Sequence, residues 1–99
     1  MNTVAKFVNQ AIKTERVLIF SKSYCPYCAK AKALLTKNNL DFTSYELDKR
    51  SDGSQIQDYL FTLNNQKTVP SIYINQTHVG GSDDLTKAFQ NGTVKKLLK

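Results

Sequence analysis

Apolar residues near the start of the chain recur at Val4, Phe7, Val8, Ala11 and Ile12, the three-and-four spacing of an amphipathic helix. Val17-Leu18-Ile19-Phe20 then form a short continuous apolar run, which predicts a strand buried on both faces. After a polar stretch, a helix is predicted to open at Pro26, because proline is well tolerated at a first helical position. Cys28, Ala31, Leu34 and Leu35 fall on one side of it, and Asn38-Asn39 end it. Phe42 to Leu47 read as a second strand and Lys49 to Gly53 as a polar turn. Ile56, Tyr59, Leu60 and Leu63 return to helical spacing, and Asn64-Asn65-Gln66 stop that helix.

Beyond Pro70, Ser71 to Ile74 and Thr77 to Val79 read as two strands joined by an Asn75-Gln76 hairpin turn. Gly80-Gly81 follow, with Ser82 and Asp83 as the expected N-caps of a helix carrying Leu85, Ala88 and Phe89. Asn91-Gly92 close that helix, and Val94, Leu97 and Leu98 suggest a last helical turn. The order is helix, strand, helix, strand, helix, strand, strand, helix. A strand–helix–strand unit implies parallel pairing at the front, and the hairpin adds an antiparallel edge. The expected fold is an α/β sandwich, a four-stranded mixed sheet flanked by helices. A single domain over residues 1–99 is expected from the length, and it can bury a modest core without staples.

Charge changes this picture little. Fourteen basic against eight acidic side chains give a net charge of +6, a field that favours anionic partners. No arginine cluster or aromatic-interleaved basic motif points to nucleic acid. The first fifteen residues lack the apolar core of a secretion signal, and no run is long enough to span a membrane. A cytoplasmic protein without membrane partners is therefore expected.

The candidate chemistry lies in Cys25-Pro26-Tyr27-Cys28, which holds both cysteines of the chain. A C-x-x-C set between a predicted strand and a predicted helix is the signature of a thioredoxin-like redox site. Cys25 falls at the cap of the helix opened by Pro26. Unpaired N–H groups of the first turn, those of Tyr27 and Cys28, together with the helix dipole should stabilise its thiolate, the nucleophilic form. Cys28, one turn further in, faces the buried side and should stay protonated until Cys25 carries a mixed disulfide, then resolve it. Other uses of such cysteines fit poorly. A c-type haem site needs histidine where Ala29 stands. A closed zinc site needs four ligands, and the chain has two cysteines and one histidine, His78, read as surface.

Four segments together make the chain resemble the glutaredoxin family over nearly its whole length. They are Lys22-Ser23-Tyr24-Cys25-Pro26-Tyr27-Cys28, Ile56-Gln57-Asp58-Tyr59-Leu60, Thr68-Val69-Pro70, and Gly80-Gly81-Ser82-Asp83-Asp84-Leu85. The resemblance is to the dithiol class and implies a thioredoxin-like three-layer sandwich with a glutathione groove beside the cysteines. It implies that Lys22 pairs with the glycine carboxylate of glutathione, that Tyr27 lines the groove, and that Gln57 reaches the glycine end. Ser54 and Gln57 also fit a helix-opening capping box, a structural alternative for Gln57. Val69, in a loop whose Pro70 would be cis, would offer its backbone to the cysteinyl part, with Thr68 beside it. Gly81 allows close backbone approach, and the helix start at Ser82-Asp83 would bind the γ-glutamyl carboxylate. Asp83 and Asp84 would hold its ammonium, with N-capping as the alternative for Asp83.

Two positions depart from the family pattern. Lys67 stands where many members have arginine, which keeps the charge but loses bidentate recognition. Ser82 replaces a frequent third cysteine. The resemblance implies a monomeric glutathione-dependent thiol-disulfide oxidoreductase with glutathione as co-substrate. Its partners would be glutathionylated or disulfide-bonded proteins, with glutathione reductase acting indirectly. Two alternatives stand beside it. A thioredoxin-type reductase has no glutathione to hold and leaves Lys22 and the Gly80–Asp84 turn unexplained. An iron–sulfur carrier sharing a cluster through Cys25 is tied in the family mainly to sites with a small residue in place of Pro26.

Overall fold

The computed structural model describes residues 2–99. Helix α1 (Thr3–Thr14) opens on Asn2, whose side-chain oxygen accepts the Ala5 N–H at 2.7 Å. Strand β1 (Val17–Ser21) follows, then α2 (Pro26–Lys37) and β2 (Thr43–Glu46). A short 3-10 turn, Leu47–Lys49, leads to α3 (Gly53–Asn64). Strands β3 (Ser71–Ile74) and β4 (Thr77–Gly80) precede α4 (Ser82–Gln90) and α5 (Thr93–Leu97).

The strands form a mixed sheet in the order β2-β1-β3-β4, with β1 and β2 parallel and the other pairs antiparallel. Side-chain alternation along β1 and β3 builds two cores. Val17, Ile19, Ile72 and Ile74 pack with Ala31, Leu35, Leu85, Ala88 and Val94 from α2, α4 and α5. Leu18, Phe20 and Tyr73 pack on the other face with Val8, Ala11, Ile56 and Leu60 from α1 and α3. Strand β1 is buried along its whole length, as its unbroken apolar run predicts. The sheet and its two helical layers make the expected sandwich.

Several boundaries differ from the expectation. Strand β2 is shorter than Phe42–Leu47, because Leu47 leaves the sheet to pack under α1 and α3 as the first residue of the 3-10 turn. Gly53 belongs to α3 and not to the turn before it. The N-cap of α4 is Gly81, with Ser82 and Asp83 already inside the first turn. Asp84 makes this possible by reaching back to accept the Gly81 N–H at 3.0 Å. The hairpin turn is where expected, with Asn75 and Gln76 both at positive φ (49° and 72°), matching the right-handed twist of the strands.

Strand register decides what the two ends of the sheet carry. Phe20 pairs with Ser71, Ser21 with Glu46, and Ile72 with Gly80. The loops after β1, after β2, before β3 and after β4 therefore meet at one edge. Residues 22–25, 47–49, 68–70 and 80–82 come together there although as many as sixty positions separate them.

Gly53 tests how tightly α3 is seated. A Cβ there would fall onto the Leu47 carbonyl, so Gly53→Ala must push the helix off the 3-10 turn. Alanine in a helix ordinarily gains up to about 1 kcal/mol over glycine. Here a loss of about 1–3 kcal/mol is expected, seen as a lower urea midpoint. A raised midpoint would show that α3 is free to slide.

Candidate functional site

The loop after β1 carries the cysteines and is tied down from below. The Cys25 N–H donates to the Lys22 carbonyl at 3.1 Å, closing a tight turn. The Ser23 N–H donates to Asp48 Oδ1 at 2.9 Å, and the Ser23 hydroxyl donates to Asp48 Oδ2. The hydroxyl bond is the larger of these two influences in holding the Asp48 carboxyl below its usual range. Sequence reasoning passed over Asp48, since one aspartate between an expected strand and a polar turn carries no local signal of a partner twenty-five residues away. Beside it, Glu46 accepts from Ser21 Oγ (2.9 Å), Ser44 Oγ and Lys32 Nζ (2.7 Å). Burial works to raise the Glu46 pKa, but these bonds prevail and lower it.

Cys25 occupies the N-cap position of α2 in extended backbone (φ −89°, ψ 115°). Its sulfur accepts the Cys28 N–H at 3.2 Å. Two donors were expected, and the Tyr27 N–H is not the one that arrives. An N-cap side chain curls back toward the third helical residue, which here is Cys28. The Cys25 thiol also lies 3.8 Å from the Val69 carbonyl oxygen. Cys28 is fully buried, and both cysteines are free thiols. Burial first, then its hydrogen bond with Cys25, pushes the Cys28 thiol up to about 11. The two sulfurs thus sit in opposed surroundings, one at a half-open helix start and one in the core. Tyr24 and Tyr27 flank them, 66% and 61% exposed.

Next to Cys25 lies an open groove of about 340 Å³ lined by Tyr27, Thr68, Val69, Pro70, Gly81, Ser82, Asp83 and Asp84. All eight were singled out from the sequence, and the fold brings them together. The Val69–Pro70 peptide is cis. Asp83 and Asp84 lie in the first turn of α4, where the helix dipole favours their negative charge. The Ser82 hydroxyl is buried and has no hydrogen-bond partner among the described residues. Gly80 has φ of 120°, and the Asp84 side chain occupies the space a Cβ would need. Glycine is therefore required there by conformation and by room.

Lys22 and Gln57 stand outside this lining. Lys22 is half-buried at the foot of the cysteine loop. Gln57 donates through Nε2 to the Lys67 carbonyl at 2.5 Å. With Asp58, Phe61 and Lys67 it lines a second hollow of about 280 Å³. The capping box with Ser54 does not form, because α3 already begins at Gly53 and the Ser54 hydroxyl turns to Gln55. The Lys67 ammonium lies 4.8 Å above the Phe61 ring. His78 departs from its surface reading. It is half-buried, bonds Gln66 at 2.9 Å and packs beside the Tyr73 ring. Burial lowers its pKa, against the pull of the Asp84 carboxylate.

The family model for glutaredoxin matches residues 17–79, a span that holds the cysteines, the cis-proline loop and most of the sheet. Glutaredoxin-1 of Rhizophagus irregularis is 47% identical over 99% of this chain and 97% of its own. Glutaredoxin-2 of Schizosaccharomyces pombe is 46% identical over 99% of this chain and 90% of its own. The chain belongs to the glutaredoxin family. A crystal structure of a buckwheat glutaredoxin–glutathione complex superposes with a TM-score of 0.92 at 32% identity, covering 96% of this chain and 86% of that one. The fold is thus the thioredoxin-like one the motifs implied. Membership makes the protein, in general terms, a glutathione-linked thiol oxidoreductase, and Cys25 and Cys28 fit the C-x-x-C motif.

The contrast between the cysteines is open to direct measurement. With its pKa near 11, Cys28 has about one molecule in ten thousand as thiolate at pH 7. Iodoacetamide should therefore label the native reduced protein once, at Cys25. A second label should appear only on unfolding or as pH rises toward 11. Equal labelling of both at pH 7 would contradict the burial of Cys28.

Proposed function

We propose that this glutaredoxin reduces protein–glutathione mixed disulfides and protein disulfides, taking glutathione into the groove between Tyr27 and Asp84. The observation that carries this reading is the approach of the Cys25 sulfur to the Val69 carbonyl, 3.8 Å away at the mouth of that groove. A disulfide laid along Val69 as an added strand would put its glutathione sulfur beside the nucleophile. The related buckwheat protein was crystallised with glutathione, which supports the choice of occupant.

In this reading the first-turn N–H groups of α4, which have no partner inside the helix, take the γ-glutamyl carboxylate. Asp83 holds the ammonium, while Asp84 is already engaged by the Gly81 N–H and contributes mainly charge. Tyr27 and Pro70 form the walls, and the backbone of Thr68 and Val69 the edge. Lys22, Gln57 and Lys67 serve the glycine carboxylate from outside the groove proper, Gln57 by fixing the loop that carries Lys67.

The chemistry is two-electron exchange. The Cys25 thiolate attacks the glutathione sulfur of a glutathionylated protein. A Cys25–glutathione disulfide forms, the old disulfide breaks, and the protein thiolate leaves and is protonated. A second glutathione thiolate attacks the bound glutathione sulfur, releasing glutathione disulfide and restoring the Cys25 thiolate. On a protein disulfide, Cys25 forms the mixed disulfide, and Cys28 attacks the Cys25 sulfur, the proton it loses passing to the departing protein thiolate. The Cys25–Cys28 disulfide left behind is returned to two thiols by two glutathiones, which leave as glutathione disulfide. We place this cycle in the cytoplasm, on a monomer, with glutathione reductase restoring the glutathione.

Assay with a glutathionylated peptide and with a protein disulfide separates the roles. Cys25→Ser should lose both activities. Cys28→Ser should keep deglutathionylation within about twofold and lose most protein-disulfide reduction. Turnover of either substrate by Cys25→Ser would overturn the assignment.

A further inference from the structure

The loop that faces Cys25 is held by a side chain with no part in the chemistry above. Gln66 Nε2 donates to the Thr68 carbonyl at 3.0 Å and to the Pro70 carbonyl at 2.7 Å. The carbonyl between them, that of Val69, points elsewhere and meets the Cys25 thiol. The two flanking carbonyls are thus drawn to Gln66, and the middle one is left facing the nucleophile. A primary amide has two N–H donors and one carbonyl acceptor. Both donors are committed to the loop, so the acceptor Oε1 must find its own partner. It meets His78 Nε2 at 2.9 Å.

That contact settles two ambiguities together. With the amide turned over, its oxygen would face two carbonyl oxygens and its NH₂ would face the imidazole, losing both loop bonds. With the amide as it stands, the ring nitrogen beside Oε1 has to carry a proton. His78 is directly opposite Tyr73 across the β3–β4 pair, their rings 5.1 Å apart, so its ring is held from the sheet side. A histidine on the edge strand thereby sets the orientation of an amide that shapes the loop beside Cys25.

We propose that Gln66 is a positioning residue that shapes the Thr68-Val69-Pro70 loop for the peptide-like cysteinyl part of glutathione, and that His78, protonated on Nε2, locks the Gln66 amide in its donating orientation. This rests on the reading of the adjoining groove as the glutathione site. Neither side chain touches the reacting sulfur, so both act on binding through the loop backbone.

The decisive variant is Gln66→Glu, which keeps shape and replaces both loop donors with an oxygen. Loss of two hydrogen bonds should raise KM for a glutathionylated peptide about tenfold, with kcat changed by no more than about twofold. His78→Phe keeps the ring against Tyr73 and removes the donor, so it should raise KM in the same direction by about threefold. The rate at which iodoacetamide labels Cys25 should stay within about twofold of the wild-type protein in both variants, which separates a loop effect from damage to the nucleophile. Nitrogen-15 shifts of His78 in the wild-type protein should show the proton on Nε2, a readout independent of how either variant folds. A wild-type KM in folded Gln66→Glu, or a neutral His78 with its proton on Nδ1, would overturn the proposal. If the wild-type protein fails to turn over the glutathionylated peptide, the glutathione reading itself falls, and this inference with it.

Discussion

The pairing of β1 with its neighbours fixes everything else about the site. Ser21 opposite Glu46 and Phe20 opposite Ser71, with Ile72 opposite Gly80 on the next strand, bring four loops to one edge of the sheet. A one-residue slip would turn every side chain to the other face, moving Phe20 and Leu18 into the layer now filled by Ile19 and Val17. Register is therefore enforced by both cores at once. Fully burying one such side chain is worth about 1.5–3 kcal/mol, so a slip that misplaced several would forfeit much of the stability of a small domain. The functional edge inherits its geometry from that packing.

On this edge the two cysteines differ because the helix they share starts between them. Pro26 lets α2 begin directly after Cys25, so the first sulfur receives an N–H that has no partner inside the helix. One turn later Cys28 is in the core, without water and with a pKa near 11. The division of labour proposed for them follows from position. In that proposal Cys25, half-buried at the helix start, is the nucleophile, and the buried Cys28 stays inert until a mixed disulfide is held against it.

The loops around this pair are held by polar side chains reaching in from other elements. Asp48 holds Ser23, Gln57 holds the Lys67 carbonyl, and Gln66 holds two carbonyls of the cis-proline loop. Backbone that leaves regular structure needs partners for its N–H and C=O groups, and these side chains supply them. Each bond is worth only about 1 kcal/mol in net stability. Their larger effect is on shape, since they restrict segments that carry few apolar anchors of their own.

Much was legible in the chain alone. The apolar run of β1, the helical spacing in α1 and α3, the hairpin at Asn75-Gln76 and the proline that opens α2 are local patterns. The periodicity of a strand or helix is a property of neighbours in sequence, so these could be read there. The cysteine pair could be read too, because its chemistry depends on residues three apart. What could not be read was any contact made across the sheet. The hold of Asp48 on Ser23, the Gln66–His78 pair and the end of β2 at Glu46 all depend on register and close packing. His78 looked like a surface residue because nothing beside it in sequence shows that Gln66 and Tyr73 will cover it. The sequence determined which residues could do chemistry, through their types and local spacing. The tertiary structure alone decided which of them meet, because the strand register that brings them to one edge is set by core packing summed over the whole chain.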